Sequence, residues 1–188
     1  MSYDPNQARD DHGRWESGSD HREFYEKSLK QPLDIKEIDA FVEYAIASDN
    51  QGINHGLRTS NPSSSDLDVI KRFDSAFSKA SIPKSMDVYR LVDPDFVKFI
   101  MSRDEFKDLG YSSTSTDPDI AKVIFSPSAG RDNTFKIHLP EKFPAIPMPY
   151  HIIMSDGIDA DLVHEKEVLL NRGSIFIKTG PMEFKASR

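Results

Sequence analysis

Half-way along this chain the spacing of its apolar residues changes. Between Asp34 and Ala80 they recur every three or four positions: Ile35, Ile38, Phe41, Val42, Ala45 and Ile46 make one stripe, and Leu67, Ile70, Phe73, Phe77 and Ala80 another. That is the period of a helix with one buried side. From Asp87 onward the apolar residues arrive in short branched and aromatic runs, such as Asp87-Val88-Tyr89-Arg90-Leu91-Val92, Thr134 to Pro140, Val168-Leu169-Leu170 and Ile175-Phe176-Ile177. Those runs have the content of strands. A helical first half followed by a β-rich second half, with two helices between the early strands, makes an α+β protein.

Local signals place the boundaries. Asp34 and Glu37, after Pro32, form an acidic variant of the capping box and predict a helix start. A short segment follows from Gln51 to Arg58; Asn61-Pro62-Ser63-Ser64-Ser65 is then a loop, and Asp66 and Asp68 complement the dipole at the next helix start. Asp93-Pro94 opens a helix carrying Phe96, Phe99, Ile100 and Phe106, closed near Gly110. Asp117-Pro118 opens another through Ala121, Val123, Ile124 and Phe125. Arg172-Gly173-Ser174 divides the last apolar runs into two strands or one bent strand. Residues 1–30 are polar and read as a flexible arm ahead of a folded domain over 31–188, with Trp15 the one large apolar residue in that polar context.

Composition removes several kinds of chemistry. A net charge of -7 argues against broad binding to nucleic-acid phosphates. With no cysteine there are no disulfides, thiolate metal sites or cysteine nucleophiles, which is compatible with a reducing cytoplasm. The six histidines make no H-x-x-H or H-x-x-x-H pair, so no metal is expected. Neither a G-x-G-x-x-G nor a G-x-x-x-x-G-K occurs, which disfavours a Rossmann or P-loop nucleotide site. No apolar run reaches membrane-spanning length, and the first residues lack the order of a secretory signal.

What is left is a set of polar residues attached to the predicted strands. Arg90 shares a strand face with Val88 and Val92 and needs a partner there, because a buried guanidinium is costly alone. Tyr111 is followed by five hydroxyl residues, Ser112 to Thr116, of which Ser113 and Ser115 project one way. Glu165 and Glu167 sit two apart, so on a strand they face the same side with Cα atoms about 6.5–7 Å apart, and Lys166 faces the other. Two like charges that close push one pKa upward, which suits one carboxylate to proton work and the other to staying ionised. Taken singly, each feature also fits an ordinary strand end, loop or solvated edge.

Together they resemble the R-S-E class of mono-ADP-ribosyltransferases, in particular the exoenzyme-type bacterial and phage enzymes. The arginine of Val-Tyr-Arg, the aromatic-x-Ser-Thr-Ser strand, the Glu-x-Glu strand and an upstream Ile-Asn-x-x-Leu-Arg fall in that family's order over Asp34 to Thr179. Leu169-Leu170-x-Arg172-Gly173-Ser174-x-Phe176 after the glutamates is similar too. The resemblance implies N-terminal helices packed on a two-sheet β core, NAD as co-substrate and no metal. It implies that Arg90 grips NAD phosphate, that the Leu91 backbone holds the nicotinamide carboxamide where many members have glycine, and that Ser113, supported by Thr114 and Ser115, orients the key glutamate. Glu167 would bind the nicotinamide ribose and stabilise its cationic centre, and Glu165 would serve the acceptor. Asn54 and Arg58 would lie near the diphosphate, Phe125 against nicotinamide, and Arg131 is a further candidate phosphate contact. Glutamate first in the pair goes in this family with arginine acceptors on proteins.

The segment from Asp4 to Gly18 resembles a short stretch of tailed-phage head and portal-associated proteins, which suggests a phage-encoded enzyme acting on a host protein in the cytoplasm. Three other readings stand beside this one: an NAD glycohydrolase, a non-catalytic virion or binding module keeping the fold, and a glycosidase carboxylate pair.

Overall fold

The computed structural model describes residues 18–46, 50–92, 94–124, 133–149 and 166–188. Four helices come first: α1 (Gly18–Ser28), α2 (Ile35–Ile46), α3 (Asn50–Arg58) and α4 (Ser64–Ser78). The acidic capping box forms as expected, Asp34 N donating to Glu37 at 2.8 Å and Glu37 N to Asp34 at 3.0 Å. At α4 the cap is Ser63, paired reciprocally with Asp66. Two further helices, α5 (Pro94–Met101) and α6 (Pro118–Ile124), interrupt the strands β1 (Met86–Leu91), β2 (Glu105–Asp108), β3 (Ser112–Ser115), β4 (Thr134–Leu139), β5 (Ala145–Pro147), β6 (Glu167–Leu170), β7 (Ser174–Gly180) and β8 (Glu183–Ser187).

The strands run in the order β2-β7-β8-β4-β1-β3-β6-β5. The ladder is thin in one place. β1 and β3 share a single register pair, Tyr89 with Ser115, whereas β1 and β4 share six, from Met86–Leu139 to Leu91–Thr134. The expected two-sheet core is therefore two strand groups hinged at one pair, not two separate sheets. One apolar cluster holds Val88, Phe135, Ile137 and Phe176 from the first group together with Val168 and Leu170 from the second, which places it between them. The other packs Phe41, Tyr44, Phe73 and Phe77 of α2 and α4 on Tyr111, Ile146 and Leu169. Alternation along β6 explains the division: Val168 and Leu170 look toward the partner strands, Leu169 toward the helices.

Three boundaries differ from the sequence-based expectation, and one agrees with it. Phe106 does not prolong the α5 helix. It lies in β2, pairs with Phe176 of β7 and stacks on it at 4.9 Å; Asp and Gly neighbours hid so short a strand. The Arg172-Gly173-Ser174 break does separate two strands, one of the two arrangements expected, and they do not pair with each other: β6 pairs with β3 and β5 whereas β7 pairs with β2 and β8. Gly173, at φ +77°, turns the chain from one strand group to the other. β8 lies beyond the apolar runs used to predict strands. Finally, α1 falls inside the stretch read as an arm; its Phe24 and Tyr25 are buried, and burial followed by the nearby Glu37 charge pushes the Tyr25 phenol up to about 12. Trp15 lies outside the described residues.

Candidate active site

The thin seam between β1 and β3 is where the polar residues gather. Arg90 follows Tyr89 on β1, and its Nη1 donates to Asp108 at 3.1 Å and to Ser112 at 2.6 Å. This is the partner that an arginine among valines required. Asp108 also receives a two-pronged bond from Arg58, Nε at 2.8 Å and Nη2 at 2.9 Å, with the Ser112 hydroxyl at 2.7 Å and the Gly110 amide at 3.0 Å. Its side chain is only 2% exposed. Burial alone would raise the carboxyl, but the Arg58 hydrogen bond, the charges of Arg90 and Arg58 and the Ser112 hydroxyl hold it down at about 2. Asp108 was not singled out in the sequence. It sits in a four-residue strand with no motif around it, and only the tertiary fold brings two arginines to it.

Among the described residues this arrangement leaves Nε and Nη2 of Arg90, and Nη1 of Arg58, without a partner. Both guanidiniums are thus anchored by some nitrogens and open at others, which suits a phosphate-bearing ligand.

The hydroxyl run divides by face. Ser112 belongs to the Asp108 group. Thr114 donates to the Val168 carbonyl at 2.6 Å, and Ser115 accepts from the Asp117 amide at 3.0 Å, so both brace the local backbone. Ser113 faces the helical side. It pairs in register with Leu169, and Ser115 with Glu167, so Ser113, Ser115 and Glu167 share a face as alternation predicts. Glu167 is buried, 6% exposed, at the very start of β6, and its carbonyl accepts from Met148.

The chain entering Glu167 is not the extended strand assumed for the glutamate pair. Lys166 has φ +47° and its Nζ lies 3.3 Å from Asp117, while its carbonyl accepts from the Thr116 amide. The strand alternation used to set Glu165 about 7 Å from Glu167 on one face therefore does not reach back to residue 165. Glu165 itself, Phe125 and Arg131 lie outside the described residues.

Leu91 lies on β1 opposite Thr134 of β4, buried, and is not among the positive-φ residues, so an ordinary extended backbone accommodates leucine there. Past Tyr89 no further register pair joins β1 to β3, which leaves that edge of Arg90 and Leu91 outside the ladder. Asn54 is buried; its Oδ1 accepts from the Tyr111 amide at 2.7 Å and its Nδ2 donates to the Tyr44 hydroxyl at 3.0 Å. Tyr44, on α2, is the second residue that sequence reading missed, because an amphipathic stripe reads as core. Its hydroxyl accepts from Asn54 and feels the charges of Glu167 and Arg90. Burial first, and the Glu167 charge second, raise its pKa.

The model of the family described as "ADP-ribosyltransferase exoenzyme" matches residues 19–180. The chain belongs to the ADP-ribosyltransferase exoenzyme family. Membership carries the coarse activity, mono-ADP-ribosyl transfer from NAD. The fold is similar to that of an ADP-ribosyltransferase from Clostridium botulinum (TM-score 0.58, 18% identity, 90% of each chain covered). It is also similar to the C3 exoenzyme of Clostridium limosum (TM-score 0.60, 19% identity, 90% of this chain and 94% of that one). A third likeness is to the ADP-ribosylating component of a binary enterotoxin of C. perfringens, solved with NADH (TM-score 0.61, 20% identity, 90% of this chain). This family member spans 47% of that toxin chain. No curated protein matches the sequence. Among the described residues, no helix is long and apolar enough to cross a membrane.

Proposed function

We propose that this exoenzyme-family protein transfers single ADP-ribose units from NAD to arginine side chains of a host protein and releases nicotinamide. The observation that carries the proposal is the pair of guanidiniums, Arg90 and Arg58, held on the buried Asp108 beside the seam where Ser113 and Glu167 share one face of the β3–β6 pair. In the reaction the bond between ribose C1′ and the nicotinamide nitrogen breaks, and its electron pair leaves with nicotinamide. The leaving group starts cationic and departs neutral, so no general acid is needed. The positive charge left on the ribose is met by an ionised Glu167, and an acceptor guanidinium nitrogen then bonds to C1′ and gives up one proton, for which Glu165 is the assigned base. Arg90 and Arg58 supply the open guanidinium edges for the diphosphate, held by Asp108 so that little ordering remains when NAD binds. Asn54, Thr114 and Ser115 support the site through the backbone and Tyr44; Leu91 lends its main chain and Phe125 an aromatic face.

The test is incubation of the purified protein with labelled NAD and host lysate, with the modified side chain mapped by mass spectrometry. Label on arginine, lost in Glu165→Gln while nicotinamide release persists, is the expected result. Label on another residue type, or release without transfer in every lysate tried, would refute the arginine assignment.

A further inference from the structure

Among the described residues, four other than glycine have a left-handed backbone: Ser60, Lys142, Lys166 and Met182. Three of them lie in ordinary reversals of the chain, Ser60 between α3 and α4, Lys142 between β4 and β5, and Met182 between β7 and β8. Lys166, at φ +47°, lies instead at the entry to β6, immediately before the buried Glu167. That conformation costs a lysine free energy that it would not cost a glycine. A second cost falls on the same joint. The Thr116 hydroxyl is buried there with no hydrogen-bond partner among the described residues, while the Thr116 amide donates to the Lys166 carbonyl at 3.2 Å. Two local costs in one place mark a joint that its surroundings must hold.

The holding group is Asp117. This aspartate is buried and fixed on its own account: its amide donates to Ser115 Oγ at 3.0 Å. Its Oδ1 accepts from the amides of Asp119 at 3.0 Å and Ile120 at 3.4 Å, which caps α6. To its Oδ2 the Lys166 ammonium donates at 3.3 Å. The lysine side chain is 21% exposed and the aspartate 6%, so water and salt screen this pair less than one on the open surface. Lys166 is therefore tied twice to one short stretch of chain, through its carbonyl to Thr116 and through its side chain to Asp117. That stretch continues β3, whose Ser115 stands opposite Glu167.

We propose that Lys166 is a positioning residue for the reaction: its ion pair with Asp117 locks the left-handed entry to β6 and so fixes the backbone from which Glu167 reaches the ribose. This rests on reading Glu167 as the carboxylate that meets the ribose cation. Glu167 is the first residue of its strand, so the ladder steadies it from one side along the chain and residue 166 must steady it from the other. A carboxylate stands several bonds from its own Cα, and a small backbone rotation at the joint is magnified at its oxygens. A misplacement of about 1 Å in a reacting group is enough to slow a reaction about a hundredfold.

Two substitutions separate the ion pair from the folding around it. Asp117→Asn keeps a good helix cap and loses the charge that holds the lysine. Lys166→Gly keeps the left-handed turn at no steric cost and loses the ammonium. In each, kcat for nicotinamide release is expected to fall about tenfold or more, with KM for NAD changed less than about threefold. The two losses have one cause, so the double variant is expected to be no slower than the slower single one. A lysine that served stability alone would lower the melting temperature and leave kcat of the folded protein untouched. Wild-type kcat in either variant, or losses that multiply in the double one, would overturn the proposal and leave the enzyme assignment intact. Wild-type protein that binds NAD yet releases no nicotinamide would defeat the reading of Glu167 itself, and the proposal with it.

Discussion

Replacing Asp108 by asparagine tests whether this buried carboxylate organises both guanidiniums. Its carboxyl is held at about 2 against an ordinary 3.8, and each unit of difference corresponds to about 1.4 kcal/mol. The charge of Asp108 therefore contributes about 2 kcal/mol of stability at neutral pH. The sign follows from the downward shift: the contribution is complete above the unfolded value and is lost as pH falls through the folded one. About half should remain at pH 3 and little at pH 2. Because the carboxylate itself is buried, this is not the screened energy of a surface pair. For a domain of this size the loss lowers Tm by roughly 4–8 °C at neutral pH. Urea unfolding of wild type and Asp108→Asn at pH 7, 5 and 3 reads it directly. A gap of about 2 kcal/mol that shrinks toward pH 3 is expected. A gap below about 0.5 kcal/mol at pH 7, or one that does not change with pH, would refute the assignment of Asp108 as the anchor of Arg58 and Arg90.

Gly110→Ala places a Cβ 2.7 Å from Asn54 Oδ1 and 3.1 Å from the Arg58 guanidinium carbon; thermal melts should show a loss of about 1–3 kcal/mol, together with weaker NAD binding by calorimetry. Arg172 grips Asp74 with bonds of 2.8 and 2.6 Å, yet both side chains are 40% exposed. Arg172→Ala should accordingly cost no more than about 1 kcal/mol, and urea melts in high salt should show a smaller difference still.

Much of the fold was legible because its helices and longer strands each carry a period of their own. The stripe through Ile38, Phe41, Val42 and Ala45 and the run from Thr134 to Leu139 each identify one element and one inward face, although Ile35, counted in the same stripe, is 69% exposed. Phe106 was misplaced for the opposite reason: one aromatic in a four-residue edge strand has no period, and its pairing with Phe176 is a fact about residues seventy positions away. The site divides the same way. Arg90 and Glu167 stand out as polar residues on apolar strands, and Ser113 as part of a bounded hydroxyl run. Asp108 and Tyr44 do not, since an aspartate before Leu-Gly looks like a turn and a tyrosine in a helical stripe looks like core. Tyr44 is in fact core on one side and site on the other. The Glu165–Glu167 spacing was drawn from strand alternation, which cannot anticipate the left-handed backbone at Lys166.

The most direct measurement is nicotinamide release from NAD by the purified protein and by Glu167→Gln. An ionised carboxylate beside the ribose predicts turnover by the wild type and a loss of about a hundredfold or more in the amide variant, with NAD still bound. Equal rates in the two proteins would contradict it.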